Sequence, residues 1–233
     1  MLPMFAVILA AGKGTRMGEL SKETPKPMLP VLGKTLLEHK LDMLPEQITD
    51  VIIVVGYLKD KIVEVLGDNY GGRKISYVIQ EELRGTADAL FKCKDILKDE
   101  KKFLVMMGDD IYCKEDMEEC LQYDYSILIR ETASLKGKAK VMFDESGHIK
   151  DILEKYPTEE AGFICTGLYT ISSKIFEYQM VGIPGGEVGL PQTLLSMKKD
   201  FNIKAVQSRF WLQITAPEDL VMAETFLKID KTE

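Results

Sequence analysis

Hydrophobic positions in this chain follow two rhythms. Phe5 to Leu9, Val51 to Val55 and Phe103 to Met107 are continuously apolar, as expected of strands covered on both faces within a parallel sheet. Between them, Thr35 to Leu44 places Leu36, Leu37, Leu41 and Leu44 on one helical face. Lys59 to Leu66 and Thr86 to Leu97 read as two more helices, and Lys74 to Ile79 alternates as a strand. The first half is therefore βαβαβαβ, which predicts an α/β fold: a Rossmann-like, doubly wound, mixed but mostly parallel sheet flanked by helices. Ligands of such sheets collect at the strands' carboxyl ends.

The second half has a different pattern. Val141 to Asp144, a turn at Glu145-Ser146-Gly147 and His148 to Leu153 predict a hairpin, followed by an apolar strand from Phe163 to Ile171. A small antiparallel β addition to the main sheet is the expected result. Helices are predicted at Gln192 to Lys199 and at Pro217 to Lys228, the latter with Pro in its first turn and Glu218 and Asp219 near the positive end of its dipole. A polar tail follows. No Pro-, Gly- or Ser-rich linker and no repeat divides the chain, so one domain over residues 1–233 is expected.

Composition narrows the classes. With 45% hydrophobic and 29% charged residues the chain has the balance of a globular protein, and no apolar run reaches the roughly 20 residues that span a bilayer. The apolar start runs straight into Gly12-Lys13-Gly14 with no basic residue before it, so it reads as a buried strand and not as a secretion signal. A net charge of −7 argues against general nucleic-acid binding but allows a local basic pocket for one nucleotide. Cys93, Cys113, Cys120 and Cys165 show no C-x-x-C spacing, and only His39 and His148 accompany them, so a zinc site is not expected. Scattered thiols of this kind read as core residues of a cytoplasmic protein.

The candidate chemistry begins where the first strand ends. Leu9-Ala10-Ala11-Gly12-Lys13-Gly14-Thr15-Arg16 lets backbone N–H groups approach a phosphate, and Arg16 adds a permanent positive charge. A Walker loop is excluded because Met17-Gly18-Glu19 stands where Gly-Lys-Ser/Thr would be needed, and a dinucleotide fingerprint would need a glycine at Met17. In Pro25-Lys26-Pro27-Met28-Leu29-Pro30, three prolines stiffen a loop that can hold the Lys26 ammonium near the same phosphates.

Together, Leu9 to Arg16 and Pro25 to Val31 resemble the amino-terminal signature of the sugar-1-phosphate nucleotidyltransferase family. That family includes glucose-1-phosphate thymidylyltransferases, UTP-glucose pyrophosphorylases and N-acetylglucosamine-1-phosphate uridylyltransferases, and the resemblance implies their nucleotide-diphospho-sugar transferase fold. It continues through Gln80 with Gly85 and Thr86, the implied nucleobase segment, where a side-chain amide can pair with the edge of uracil or thymine. The implied nucleotide-binding set is Leu9, Ala11, Gly12, Gly14, Thr15, Arg16, Lys26, Gln80, Gly85 and Thr86. Asp109, at the tip of the strand ending in Met107, matches the family's metal-binding aspartate, so Mg²⁺ is the implied cofactor. A late motif from Trp211 to Leu220 implies a second metal ligand at Gln213, where the family usually carries aspartate.

Glu154 and Lys155 resemble the family's Glu-Lys-Pro element, although Tyr156 intervenes before Pro157, and Thr166-Gly167 resembles the strand that touches the sugar. The implied sugar-phosphate set is thus Glu154, Lys155, Thr166 and Gly167, with Arg16, Lys26 and Lys155 as the catalytic cations. Residues 1–112 would form the nucleotide half and residues 113–233 the sugar-phosphate half, without the carboxyl-terminal hexapeptide-repeat domain of some relatives.

The implied reaction joins UTP or dTTP to a hexose 1-phosphate by in-line attack on the α-phosphate, giving a nucleotide sugar and pyrophosphate. The implied partners are these small molecules, with no nucleic acid and no membrane; a homo-oligomer is compatible with the sequence. Two alternatives remain: a CTP-dependent cytidylyltransferase acting on a sugar or alcohol phosphate, and a non-catalytic nucleotide-binding regulatory homologue, prompted by Gln213.

Overall fold

The computed structural model describes residues 3–229, and the polar tail read from the sequence lies outside the described residues. The amino-terminal half runs β1 (Phe5–Leu9), the short pair β2 (Pro30–Val31) and β3 (Lys34–Thr35), α1 (Leu36–Met43), β4 (Asp50–Val55) and α2 (Lys59–Leu66). It continues through β5 (Asn69–Tyr70), β6 (Arg73–Ile79), α3 (Thr86–Phe91), α4 (Lys94–Leu97) and β7 (Phe103–Met107). β1 pairs in parallel with both β4 and β7, and β4 pairs in parallel with β6. Because β1 has β4, the next long strand in the chain, on one side and the later β7 on the other, the strand order reverses beside it. That crevice is where a doubly wound sheet binds ligands.

Alternation explains why these strands are apolar throughout. Val7, Leu9, Val54 and Val105 enter one core cluster, while Ala6, Ile8, Ile53, Leu104 and Met106 enter the cluster on the opposite face. A polar residue at any of these places would be stranded without a partner.

The second half adds β8 (Asp110–Tyr112), α5 (Lys114–Cys120), β9 (Ser126–Thr132), β10 (Lys140–Phe143), β11 (Ile149–Leu153) and β12 (Gly162–Ile171). After these come β13 (Val181–Gly182), β14 (Val188–Gly189), α6 (Leu190–Ser196), β15 (Lys204–Gln207), β16 (Trp211–Gln213) and α7 (Pro217–Ile229). β12 is antiparallel to β7, and through it one ten-stranded sheet runs in the order β11-β10-β12-β7-β1-β4-β6-β5, with β9 along β12 and β15 beside β9. The sheet is mixed but parallel at its centre, as the sequence pattern predicts. Among the described residues no helix is long and apolar enough to cross a membrane.

Several boundaries differ from the sequence expectation. Thr35 is the N-cap of α1 and not its first residue: its hydroxyl accepts from the Glu38 N–H, and the Glu38 carboxylate accepts from the Thr35 N–H. The helix expected from Thr86 to Leu97 is two helices, because Cys93 donates its N–H to Leu90 only three residues back at 2.9 Å. The tightened turn keeps Leu90, Cys93 and Leu97 together in the core. α6 starts at Leu190, ahead of the expected Gln192, since Pro191 is tolerated in a first turn, and its end tightens into the 3₁₀ turn Met197–Lys199.

Candidate active site

The crevice at the tips of β1 and β7 holds two adjoining recesses. One, of about 200 Å³, is lined by Leu9, Ala11, Gly12, Gln80, Gly85, Thr86 and Met107 among others. The other, of about 80 Å³, adds Gly14, Lys26 and Asp109 and shares Leu9, Gly12 and Met107 with the first. Most of the nucleotide set expected from the sequence therefore meets in one place, together with the expected metal-binding aspartate.

The two glycines of the turn differ in their reason for being glycine. A Cβ on Gly12 would meet nothing within 4 Å, so the open space above its backbone is available to a ligand. Gly14 has φ +62°, and a Cβ there would lie 2.8 Å from the Lys26 Cβ. Its bareness lets the Lys26 stem cross the turn. Pro25 and Pro27 flank that lysine in the 3₁₀ turn Lys26–Met28, and Nζ reaches Asp109 Oδ2 at 2.5 Å with Lys26 only 5% exposed.

Arg16 stands apart from both recesses. It is exposed on the turn Thr15–Ser21 and lines neither recess; its side chain makes no hydrogen bond or ion pair among the described residues. The fixed cation at the narrower recess is Lys26. Thr15 lies with Lys13 and Tyr57 around a neighbouring depression, where the Tyr57 hydroxyl donates to the Lys22 carbonyl at 2.7 Å and steadies the loop.

Behind Asp109 lies a buried polar cluster. Asp110 turns inward and accepts from Trp211 Nε1 at 3.1 Å, while the Lys40 ammonium donates to the Asp110 carbonyl and sits 4.6 Å from the Tyr112 ring centre. Burial, and then the neighbouring Asp109 charge, push the Asp110 carboxyl above the usual carboxylate range; burial pushes the Lys40 ammonium down. Sequence reasoning missed Lys40. The signal was available, because Lys40 lies four residues from both Leu36 and Leu44 on the apolar stripe of α1. Gln213 stands opposite Asp110 in the β16–β8 pair and is exposed.

At the wider recess, Gln80 is 4% exposed, and its amide nitrogen donates to Asp88 Oδ2 at 2.8 Å and to the Gly85 carbonyl at 3.1 Å. Asp88, also missed, betrays itself only as a lone acid inside the buried run Ala87 to Leu90. Gly85 has φ +108°, and a Cβ there would lie 2.3 Å from the Val188 carbonyl oxygen, so close packing demands its glycine. Thr86 accepts from the Leu190 N–H at 3.0 Å and so ties α3 to the start of α6.

The sugar-side residues separate. Glu154 accepts from Gln192 Nε2 at 3.0 Å, and Lys155 holds a left-handed backbone with φ +51°. The Lys155 ammonium lies 3.8 Å from the position a Cβ would take on Gly185, in the loop whose Glu187 lines the wider recess. Thr166 is 2% exposed and its hydroxyl donates to the Leu128 carbonyl at 2.9 Å, so its side chain is engaged within the fold. The β12–β9 register shifts between Cys165 and Tyr169, the stretch that contains Thr166 and Gly167. Gly167, at φ +83°, lies so close to Met107 that a Cβ would be 2.5 Å from its Cγ. It supports the floor of the recesses.

The expected Mg²⁺ fits this donor set. Mg²⁺ takes one or two protein carboxylates and completes its shell with phosphate oxygens and water. Asp109 is a partly exposed carboxylate at the narrower recess. Among the described residues no group of three or more His, Cys, Asp or Glu side chains is arranged to hold a metal by itself. The protein's share of such a site is therefore small.

A parallel sheet with a bare-backboned turn, a fixed lysine and an acid at its switch point defines a nucleotide-binding α/β protein. The chain belongs to the nucleotidyl transferase family, whose profile matches residues 5–228. It is 32% identical to the UTP–glucose-1-phosphate uridylyltransferase AglF of Haloferax volcanii over 99% of both chains. It is also 32% identical to the bifunctional protein GlmU of Methanocaldococcus jannaschii, covering 98% of this chain and 55% of that protein. The chain thus spans about half the length of the GlmU proteins it matches. Among solved structures, HddC from Yersinia pseudotuberculosis complexed with GMP-PN superposes with a TM-score of 0.71 at 28% identity, covering 96% of this chain and 99% of that one. A UDP-glucose pyrophosphorylase complexed with UDP-glucose gives a TM-score of 0.80 at 21% identity over 98% and 100% of the two chains, a likeness of fold.

Proposed function

We propose that this chain condenses UTP or dTTP with a hexose 1-phosphate, releasing pyrophosphate, with UTP and glucose 1-phosphate as the first pair to test. The observation that carries this reading is the Lys26–Asp109 pair in a recess continuous with the one lined by Gln80. A base and a phosphate tail can be held there together. The similarity to AglF, a UTP–glucose-1-phosphate uridylyltransferase of nearly the same length, supports the substrate pair.

In the proposed reaction an oxygen of the sugar phosphate attacks the α-phosphorus in line, the bond to the β-phosphate oxygen breaks, and pyrophosphate leaves. No covalent enzyme intermediate is needed. Both reactants are anions, so the work of the protein is orientation and charge compensation. Gln80 holds the base, the backbone at Gly12 admits the phosphates, and Lys26 faces them from its proline-braced turn. Arg16 reaches the triphosphate from its exposed turn once the nucleotide is present. Lys155 binds the sugar phosphate and Glu154 a sugar hydroxyl, which makes residues 1–112 the nucleotide half and residues 113–233 the sugar-phosphate half. Mg²⁺, held by Asp109 with Gln213 as a neutral partner, supplies further compensation of phosphate charge when bound.

A pyrophosphate-release screen crossing UTP, dTTP, CTP and GTP with glucose, galactose and N-acetylglucosamine 1-phosphates tests the proposal. Magnesium-dependent release with a uracil or thymine nucleotide is expected. Silence with every pair overturns it. GTP belongs in the screen because the HddC structure carries GMP-PN.

A further inference from the structure

Nothing in the proposed reaction explains why an aspartate is buried beneath the base recess. Asp88 lies on α3, 6% exposed, and its Oδ2 accepts from Gln80 Nε2 at 2.8 Å. The Gly85 carbonyl takes the second hydrogen of the same amide at 3.1 Å. A carboxylate and a peptide carbonyl can only accept, so the two contacts fix which end of the Gln80 amide faces inward. Turning the amide over would set its oxygen against two other oxygens in a buried place.

Both amide hydrogens are thereby used. Gln80 Oε1 accepts no hydrogen bond among the described residues, yet it is absent from the buried atoms lacking partners, so it is open to solvent. Since Gln80 lines the wider recess, its side chain offers a ligand there an acceptor and no donor. An unrestrained glutamine would offer either.

We infer that Asp88 is a specificity-determining positioning residue: by locking the Gln80 amide, it makes the base recess select nucleobases with a ring N–H at the middle of their pairing edge. The inference rests on the proposed nucleotide site. Uracil and thymine carry such a donor at N3, and guanine carries one at N1. Cytosine has a lone pair at N3, which would face Oε1 and repel it. UTP and CTP differ only along this edge, so their ratio reads the lock directly. Asp88→Asn weakens the lock to the Gly85 carbonyl alone, because an asparagine can donate to Gln80 Oε1 as readily as it accepts from Nε2. Gln80 can then turn and present its NH₂ to cytosine N3.

The test is isothermal titration of the full chain, wild type and Asp88→Asn, with UTP, CTP and N3-methyl-UTP, each variant checked by thermal melting. Wild type is expected to bind UTP at least about tenfold more tightly than either competitor, the scale of one buried, mismatched hydrogen bond. In Asp88→Asn the preference for UTP over CTP should shrink severalfold, chiefly through tighter CTP binding. A purely structural role for Asp88 would weaken UTP and CTP alike and leave their ratio in place; that result, in a folded variant, overturns the inference. Should Asp88→Asn fail to fold, wild type decides: CTP or N3-methyl-UTP binding as tightly as UTP overturns the inference, while rejection of CTP supports it, since a freely turning amide would accept cytosine. A wild-type chain that binds no triphosphate and releases no pyrophosphate overturns the nucleotidyltransferase reading itself. UTP turnover with an unmoved UTP-to-CTP ratio removes only Asp88's part.

Discussion

Lys26 and Asp109, 83 residues apart in the chain, are joined by an ion pair of 2.5 Å that ties the proline-braced turn to the tip of β7. The lysine has surrendered almost all its exposure, while the Asp109 side chain keeps 28% of its own. A buried ammonium is costly unless compensated, and here one carboxylate oxygen compensates it. Incoming phosphates would find a cation already desolvated and aimed. Lys26→Met should therefore lower kcat/KM for the triphosphate by roughly 100-fold, the size of a lost preorganised charge. Pyrophosphate release at saturating sugar phosphate measures this, and a rate within twofold of wild type removes Lys26 from the machinery.

Gly12 and Gly14 make separable predictions. Gly12→Ala meets open space, so its melting temperature should stay near that of wild type while KM for the triphosphate rises. Gly14→Ala forces a Cβ into a left-handed backbone and against the Lys26 stem. It should lose about 1–2 kcal/mol of stability from the backbone alone and lose activity as well. Urea denaturation beside steady-state kinetics distinguishes the two, and equal stability losses would contradict the contrast.

The centre of the fold was legible because β1, β4 and β7 are covered on both faces, and that coverage leaves an unbroken apolar record. α5, β9, β15 and β16 were not read. β16 is three residues long and exists through its pairing with β8, a contact between distant segments. α5 buries only Asp116, Met117 and Cys120, and Asp116 is buried because the Arg209 and Phe210 N–H groups and the Ser208 hydroxyl donate to its carboxylate. Of the site, Gly12, Lys26, Gln80 and Asp109 came from local motifs, and the structure brings them to one crevice. Thr166 came from a motif, and only the folded chain shows that its hydroxyl is taken up by the Leu128 carbonyl. Lys40 and Asp88 act through partners that only the folded chain supplies.

The thiols give a prediction that the catalytic reading does not touch. Burial pushes Cys93, Cys113 and Cys120 up to about 12 and Cys165 up to about 11, against an ordinary 9.0. Since the thiolate is the nucleophile, native protein at pH 8 should resist iodoacetamide, with Cys165 reacting first, while denatured chain reacts at all four. Peptide mass spectrometry reads the order. These pKa values are raised on folding, so the native state keeps protons that the unfolded chain sheds above about pH 9. Their contribution to stability is full below that pH and is lost as the pH rises through 11 to 12. A urea midpoint that rose between pH 9 and 10.5 in magnesium-free buffer would contradict the sign.

Lys155 combines an unfavourable backbone with an exposed ammonium. A non-glycine residue at φ +51° gives up about 1–2 kcal/mol relative to a right-handed conformation. Nothing in its packing recovers this: the side chain is exposed and makes no hydrogen bond or ion pair among the described residues. A lysine kept in such a place fits a functional demand, which is the proposed contact with the sugar phosphate. Lys155→Gly relieves the strain and removes the charge together, although glycine's extra freedom in the unfolded chain returns part of the gain. The variant should melt no lower than wild type, with a rise of up to about 1 kcal/mol in stability, while KM for the sugar phosphate increases at least about tenfold and KM for the triphosphate moves little. If stability rises with both Michaelis constants unchanged, the strain is real but the assignment of Lys155 to the sugar phosphate is wrong.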